Sequence, residues 1–370
     1  MSLRADAGRA HPNFPWLDPD RTDELQTYLV AAGFLGEGEP LTRCTRAGAG
    51  NMNLTLWIET PERQFVLKQA RPWVEKFDHI AAPWDRNRFE ARFYQKAATL
   101  AGVGDRMPRL LGSDPAAQVL LLEALADSTD LSVAYSRDTT QGEDSAFSTS
   151  EIKELAAYLA ALHGGTRGLS SPELANDEMR ALNFEHIFVV PFAEDNGVDL
   201  EALEPGLAAA AAQLREDPEL RRTVEETGEH YRRGEACLVH GDYFPGSWLR
   251  TGAGLRIIDP EFGFPGEPEI DLGCAIAHLA LAEEPAARAK QFLDSYEGAG
   301  PGAVVKRPAM ARYAAAEVIR RLIGVAQLPI PVSPTRGPAR NRRKQLLARA
   351  RRTMLGAEAT RLFNEPPSLL

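Results

Sequence analysis

The chain changes character near Leu125, and that change limits the folds open to it more than any other feature. Before it come short β-rich runs. "LTLWIE" and "QFVLKQ", separated by "TPER", read as a hairpin, and "PRLLGSD" and "QVLLLEAL" as two further strands. Two helices accompany them. Over residues 20–35, Leu25, Tyr28, Leu29 and Ala32 fall at i, i+3, i+4 and i+7 with Gly33 as a stop, and residues 86–101 have the same spacing. After Leu125 the Ser/Thr/Asp-rich stretch "ADSTDLSVAYSRDTTQGEDSAFSTS" reads as a linker and surface loop. Beyond it the periodicity is helical over 150–163, 205–233, 268–283, 284–297, 307–327 and 339–363, interrupted by short strands at "CLVH" and "LRIIDPE". Strands segregated from helices predict an α+β chain: a β-rich N-terminal lobe over 1–125 and a mainly helical C-terminal lobe over 126–370.

The 370 residues, 44% of them hydrophobic, suffice for about two domains. The net charge of −10 speaks against nucleic acid as a partner, because phosphate backbones call for clustered Lys and Arg. The basic run "RNRRKQLLARARR" is interleaved with Leu and Ala, which suits the solvated face of a terminal helix. Cys44, Cys237 and Cys274 are odd in number and form no CxxC, so a disulfide framework or zinc site is not expected and a reducing compartment is. The first twenty residues lack an apolar stretch of signal-peptide length, and no segment nears the ~20 apolar residues of a membrane span. A soluble cytoplasmic protein without membrane partners is the expectation.

The chemistry concentrates in "LVHGDYFPGSWL" and "LRIIDPEF". Each short apolar strand delivers acidic residues at its C-terminal end: Asp242 after the first, Asp259 and Glu261 after the second. Pro260 disfavours the helical region for Asp259, and in extended backbone i and i+2 share a side, so Asp259 and Glu261 are expected to face one site. Converging carboxylates repel unless a cation joins them, and hard oxygens suit Mg²⁺. Phosphoryl transfer needs this set: one carboxylate to orient the attacking hydroxyl and take its proton, others to hold metal on the phosphates. Any one of these acids alone reads equally well as a turn former; the combination carries the inference.

"HGDYFPGS" and "IDPEF" resemble the catalytic and metal-binding loops of the aminoglycoside phosphotransferase-like kinases, which are protein-kinase-like in fold. Within that group the chain is most similar to the 5-methylthioribose kinases, through Ser247 where most relatives have Asn, "LKQARPWV", "NFEHIFVVPF" and "VIRRLIGVA". The similarity runs with gaps from about residue 45 to about 360. "YFP" and "GFPGEPEID" depart from that family's pattern.

The resemblance implies a two-lobed enzyme with ATP·Mg²⁺ between its lobes. Asp242 is then the catalytic base, and Asp259, Glu261 and Ser247 are metal ligands, Ser247 either directly or through water. Nucleotide contacts fall to Gly48, Gly50 and Asn51 of "RAGAGNMN", to Lys68 on its strand with Glu90 as its helix partner, and to Glu123 and Leu125 as the hinge facing adenine. Arg320, Arg321 and Trp84 map to the acceptor site; each also has a structural reading, the arginines as ion-pair formers and Trp84 as a packing residue. His240 is read as bracing the catalytic loop, His163 as a helix C-terminal residue, and Asp271 as an acceptor for backbone near that loop. The implied acceptor is a small-molecule hydroxyl, with 5-methylthioribose first, and the implied assembly is a homodimer. A kinase for an aminoglycoside or another small alcohol, and an inactive nucleotide-binding relative, are the alternatives.

Overall fold

The computed structural model describes residues 2–48, 52–136, 145–299, 304–331 and 341–363. Contacts divide the chain into two units: residues 1–127 with 259–261, and residues 128–258 with 262–370. The first holds a β-sheet and the second is mainly helical, so the α+β segregation read from the periodicity is the architecture observed.

The first unit is built on strands β1 (Arg43–Arg46), β2 (Leu54–Glu59), β3 (Gln64–Gln69), β6 (Leu110–Asp114) and β7 (Val119–Glu123). They form an antiparallel sheet in the order β1-β2-β3-β7-β6. A two-stranded ribbon, β4 (Trp73–Val74) and β5 (Phe77–Ala81), and helices α1 (Leu3–Ala10), α2 (Thr22–Ala31) and α3 (Arg86–Ala97) complete it. Strand alternation sorts the two faces. Leu54, Leu56 and Ile58 of β2, Phe65 and Leu67 of β3, and Val119 and Leu121 of β7 pack with Leu25 and Leu29 of α2 into one core. Full burial of each such side chain stabilises by about 1.5–3 kcal/mol. Lys68 follows Leu67 by one residue, so its side chain leaves this core for the opposite face.

In the second unit, β8 (Thr129–Asp130), β10 (Trp248–Thr251) and β11 (Gly254–Ile257) form one small antiparallel sheet, and β9 (Cys237–Val239) pairs with β12 (Phe264–Gly266). The helices are α4 (Thr149–Gly165), α5 (Asp177–Phe184), α6 (Leu200–Leu203), α7 (Leu207–Glu216), α8 (Pro218–Arg233), α9 (Glu269–Leu281), α10 (Ala286–Gly298), α11 (Arg307–Ile323) and α12 (Arg342–Gly356). Every residue of α9 is buried, and α9 packs along α11. Among the described residues no helix is long and apolar enough to cross a membrane.

Three expectations change here. The helical stretch 205–233 is two helices, because Asp217 caps α8 by accepting from Glu219 and Leu220 N–H groups and Pro218 cannot continue α7. The stretch 126–150 is not simply a loop. It contributes β8 and a 3₁₀ turn, Leu131–Ser136, that buries Leu131, Ala134 and Tyr135; its residues 137–144 lie outside the described part. Nor is the basic terminal helix wholly solvated: Arg343 of α12 is buried and donates to the Ile330 carbonyl, while its backbone N–H donates to Glu204.

Candidate active site

On the far face of the sheet, β3 carries Lys68 beside α3. Its Nζ lies 2.6 and 2.9 Å from the two carboxylate oxygens of Glu90 and 2.9 Å from Asp259 Oδ1. Lys68 and Glu90 are buried, whereas the Asp259 side chain is 41% exposed. Burial alone would depress the ammonium pKa. The carboxylates of Asp259, Glu90 and Glu261 outweigh it and hold the lysine well above its ordinary value. Burial pushes the Glu90 carboxyl up to about 7, against the pull of Lys68.

Glu261 is fixed by a second cation. Asn53 Nδ2 donates to Glu261 Oε2 at 2.8 Å, and Arg86 Nε, 3.6 Å from the same oxygen, donates to Asn53 Oδ1 at 2.9 Å. Arg86 is fully buried and also donates to the carbonyls of Met52, Arg71 and Pro83. The first unit thus joins Lys68, Glu90, Asp259, Glu261, Asn53 and Arg86 in one cluster.

The backbone route to this cluster differs from the extended one expected. Asp259 has φ +60°, the left-handed region that Asp tolerates better than most residues, and Pro260–Phe262 form a 3₁₀ turn. Such a backbone costs on the order of 1–3 kcal/mol and is characteristic of functional loops.

Asp242 sits in the second unit, held by α11. Its Oδ1 accepts from Arg321 Nη2 at 2.9 Å, and Arg320 Nη2 lies 3.6 Å away. Both arginines are buried in the last turn of α11. Glu317, one turn earlier, accepts from Arg321 Nε at 2.6 Å and from Arg320 Nη1 at 3.1 Å. Arg321 also lies 4.7 Å from the centre of the Phe244 ring. Burial would depress the Arg321 pKa, but Glu317 and Asp242 together raise it, so the guanidinium stays charged.

The loop bearing Asp242 is braced from several sides. Asp271, at the start of α9, accepts from the backbone N–H groups of His240 and Gly241 at 2.7 and 2.9 Å, the role read for it from sequence. His163, in the last turn of α4, contacts Asp271 at 3.1 Å. His240 is buried with Nε2 3.0 Å from the Ile258 carbonyl, so its contact is with backbone. Gly241 has φ +83°, and a Cβ there would stand 2.2 Å from the Phe262 carbonyl oxygen. Only glycine meets both conditions. Ser247 is buried, and its hydroxyl donates to the Asp242 carbonyl at 3.3 Å.

The remaining sequence candidates fall as follows. Gly48 adopts φ +67°, while Gly50 and Asn51 lie outside the described residues. Glu123 ends β7, donating its N–H to the Arg109 carbonyl, and Leu125 follows two residues later. Trp84 stacks on Trp16 with centroids 5.6 Å apart and touches His11 and Phe14, which is the packing role.

Residues 43–311, more than two thirds of the chain, match the model of the phosphotransferase enzyme family (APH). The chain belongs to that family. Its curated relatives include a methylthioribose kinase of Exiguobacterium sibiricum, 26% identical over 262 residues, which are 68% of this chain and 64% of that protein. Another is a methylthioribose kinase of Erwinia tasmaniensis, 27% identical over 271 residues, 69% and 64% of the two chains. The chain therefore spans somewhat less than two thirds of the length of the curated relatives it matches. A solved choline/ethanolamine kinase family protein from Mesorhizobium loti superposes with a TM-score of 0.51 at 19% identity, covering 92% of this chain and 98% of that one, and so shares the family fold.

Four members of these clusters escaped the sequence reading as site residues: Asn53, Arg86, Asn183 and Glu317. Asn53 ends the Gly-rich segment, and nothing in its residue type or spacing singled it out. Asn183, in "NFEHIFVVPF", donates to the Gly241 carbonyl at 2.9 Å and accepts from Arg320 at 3.3 Å. A signal did exist for the charged pair. Arg86 is i−4 to Glu90, and Glu317 is i−3 and i−4 to the twin arginines, the helical spacing at which side chains meet.

Proposed function

We propose that this phosphotransferase family member is an ATP-dependent kinase that transfers the γ-phosphoryl group to a hydroxyl of a small molecule, with 5-methylthioribose as acceptor. The reading rests chiefly on the Lys68–Glu90–Asp259 arrangement. A charged lysine held by a buried helix glutamate and an aspartate of the "DPE" loop is what nucleotide phosphates require. Lys68 neutralises phosphate charge, and Asp242 accepts the hydroxyl proton while orienting its oxygen. Arg320 and Arg321 keep the Asp242 carboxylate in place and offer cationic contacts to an acceptor. Glu123 and Leu125 serve as adenine contacts, and Gly48, Gly50 and Asn51 as phosphate contacts.

The donor chemistry fits Mg²⁺. Asp259 and Glu261 are hard oxygen donors, and the half-exposed Asp259 carboxylate has Oδ1 on Lys68. Glu261 is already engaged by Asn53, so it acts as a supporting donor beside Asp259, and the Ser247 hydroxyl is engaged by the Asp242 carbonyl within its own unit. Bound metal would supply charge neutralisation on the β- and γ-phosphates.

That the curated relatives are methylthioribose kinases supports methylthioribose as acceptor. Two buried arginines beside Asp242 also disfavour a polycationic acceptor. The test is ADP release from Mg·ATP over a panel holding 5-methylthioribose, aminoglycosides, choline and other small alcohols. Turnover with methylthioribose alone is expected. Turnover confined to another acceptor would overturn the acceptor assignment, and ATP binding without turnover on the whole panel would overturn the kinase.

A further inference from the structure

Cys274, His278 and Glu317 form a buried group whose potential ligand atoms all lie within 4.8 Å of one another. The spacing invites a metal, but the hydrogen bonding does not. His278 Nδ1 lies 2.6 Å from the Tyr135 hydroxyl and Nε2 3.0 Å from Glu317 Oε1. Glu317 Oε1 also takes Arg321 Nε, and Oε2 takes Arg320 Nη1. Burial pushes the Cys274 thiol well up, which keeps it protonated. Both ring nitrogens and both carboxylate oxygens are thus spoken for by the protein.

The polarity of the chain of bonds follows. Burial lowers the His278 pKa and keeps the ring neutral, while the two arginines outweigh burial and hold the Glu317 carboxyl well below the carboxylate range. An ionised Glu317 only accepts, so Nε2 carries the imidazole proton and Nδ1 accepts from the Tyr135 O–H. Tyr135 orients His278, His278 orients Glu317, and Glu317 accepts from two guanidiniums whose other nitrogens face Asp242.

Helix geometry explains why such a device is needed. Neighbouring residues on a helix point about 100° apart, so Arg320 and Arg321 diverge by default. Glu317 lies three and four residues before them, on the face that both can reach. Its two oxygens draw the diverging side chains together.

We propose that Glu317, oriented by His278 and Tyr135, is the positioning residue that converges Arg320 and Arg321 on the catalytic carboxylate of Asp242. This inference rests on the kinase reading for Asp242. Glu317→Gln removes the charge and turns one acceptor into a donor, so it cannot hold both guanidiniums. The expected result is a loss of kcat of about 10–100-fold, as for other groups that orient a reacting residue. KM for ATP should stay within about twofold, because the residues assigned to phosphate lie in the other unit. Wild-type kcat in Glu317→Gln would overturn the proposal.

Glu317→Asp guards against a folding defect. It keeps the charge but retracts the carboxylate by one C–C bond, ~1.5 Å. It should fold and still lose turnover; full activity would show that charge alone matters and defeat positioning. If the wild-type protein turns over no acceptor, the kinase reading has failed, and a double-mutant cycle in urea unfolding still decides this one. Shifts in midpoint for Glu317→Gln and Asp242→Asn should then be non-additive, since the arginines link the two carboxylates. Strict additivity would overturn the link.

Discussion

Lys68 and Glu90 form a buried ion pair in which both carboxylate oxygens of Glu90 accept from a single ammonium, at 2.6 and 2.9 Å. Removing one partner strands the charge of the other in a dry site. Lys68→Ala, which leaves Glu90 and Glu261 without their central cation, should destabilise the protein by about 3–5 kcal/mol in urea unfolding. It should also raise KM for ATP in the ADP-release assay.

Asp242→Asn keeps an oxygen that can accept from Arg321 but removes the proton acceptor. Turnover should fall by about 10²–10⁴-fold, the range of a lost general base. Nucleotide affinity, measured by calorimetry with a non-hydrolysable ATP analogue, should be unchanged. A variant retaining most of its kcat would remove Asp242 from the mechanism.

Gly241 tests the loop that carries this aspartate. Its φ of +83° and the Phe262 carbonyl 2.2 Å from a built Cβ leave an alanine no place. Gly241→Ala should lower the urea midpoint and abolish turnover together, because the Phe262 backbone must move. Unchanged circular-dichroism melting would contradict the geometry described.

Glu39 gives a pH signature. Arg63, whose Nε donates at 2.8 Å, is the largest influence, with Thr60 and the Gly36 N–H adding to it; together they lower the Glu39 carboxyl from 4.5 to about 2. A carboxyl depressed on folding contributes stability that is present above its unfolded value and lost as pH falls toward the folded one. This contribution should therefore disappear between roughly pH 4.5 and pH 2. Glu39→Gln should lower Tm by a few degrees at pH 7 and flatten its acid limb over that window.

Much of this molecule is legible in one dimension. The hairpin of β2 and β3 follows from the alternation of Leu54, Leu56 and Ile58 with half-buried residues, and the helical stretches read over 268–283 and 307–327 contain α9 and α11. Where the periodicity misled, a stronger local rule decided: Pro218 split one expected helix in two, and the left-handed Asp259 replaced an extended pair.

The sequence by itself determined the strands, the helices and the acidic loops, because backbone preference and side-chain period act between near neighbours. Which distant groups meet was decided only by the tertiary structure. Asn53 and Glu261 bond across 208 residues, Tyr135 and His278 across 143. Both arginines of the "RR" pair share Glu317, which helical spacing allows, but that they converge with it on Asp242, 79 residues away in sequence, was set by the fold. Buried polar groups must find partners wherever packing brings them, and packing is a property of the whole chain.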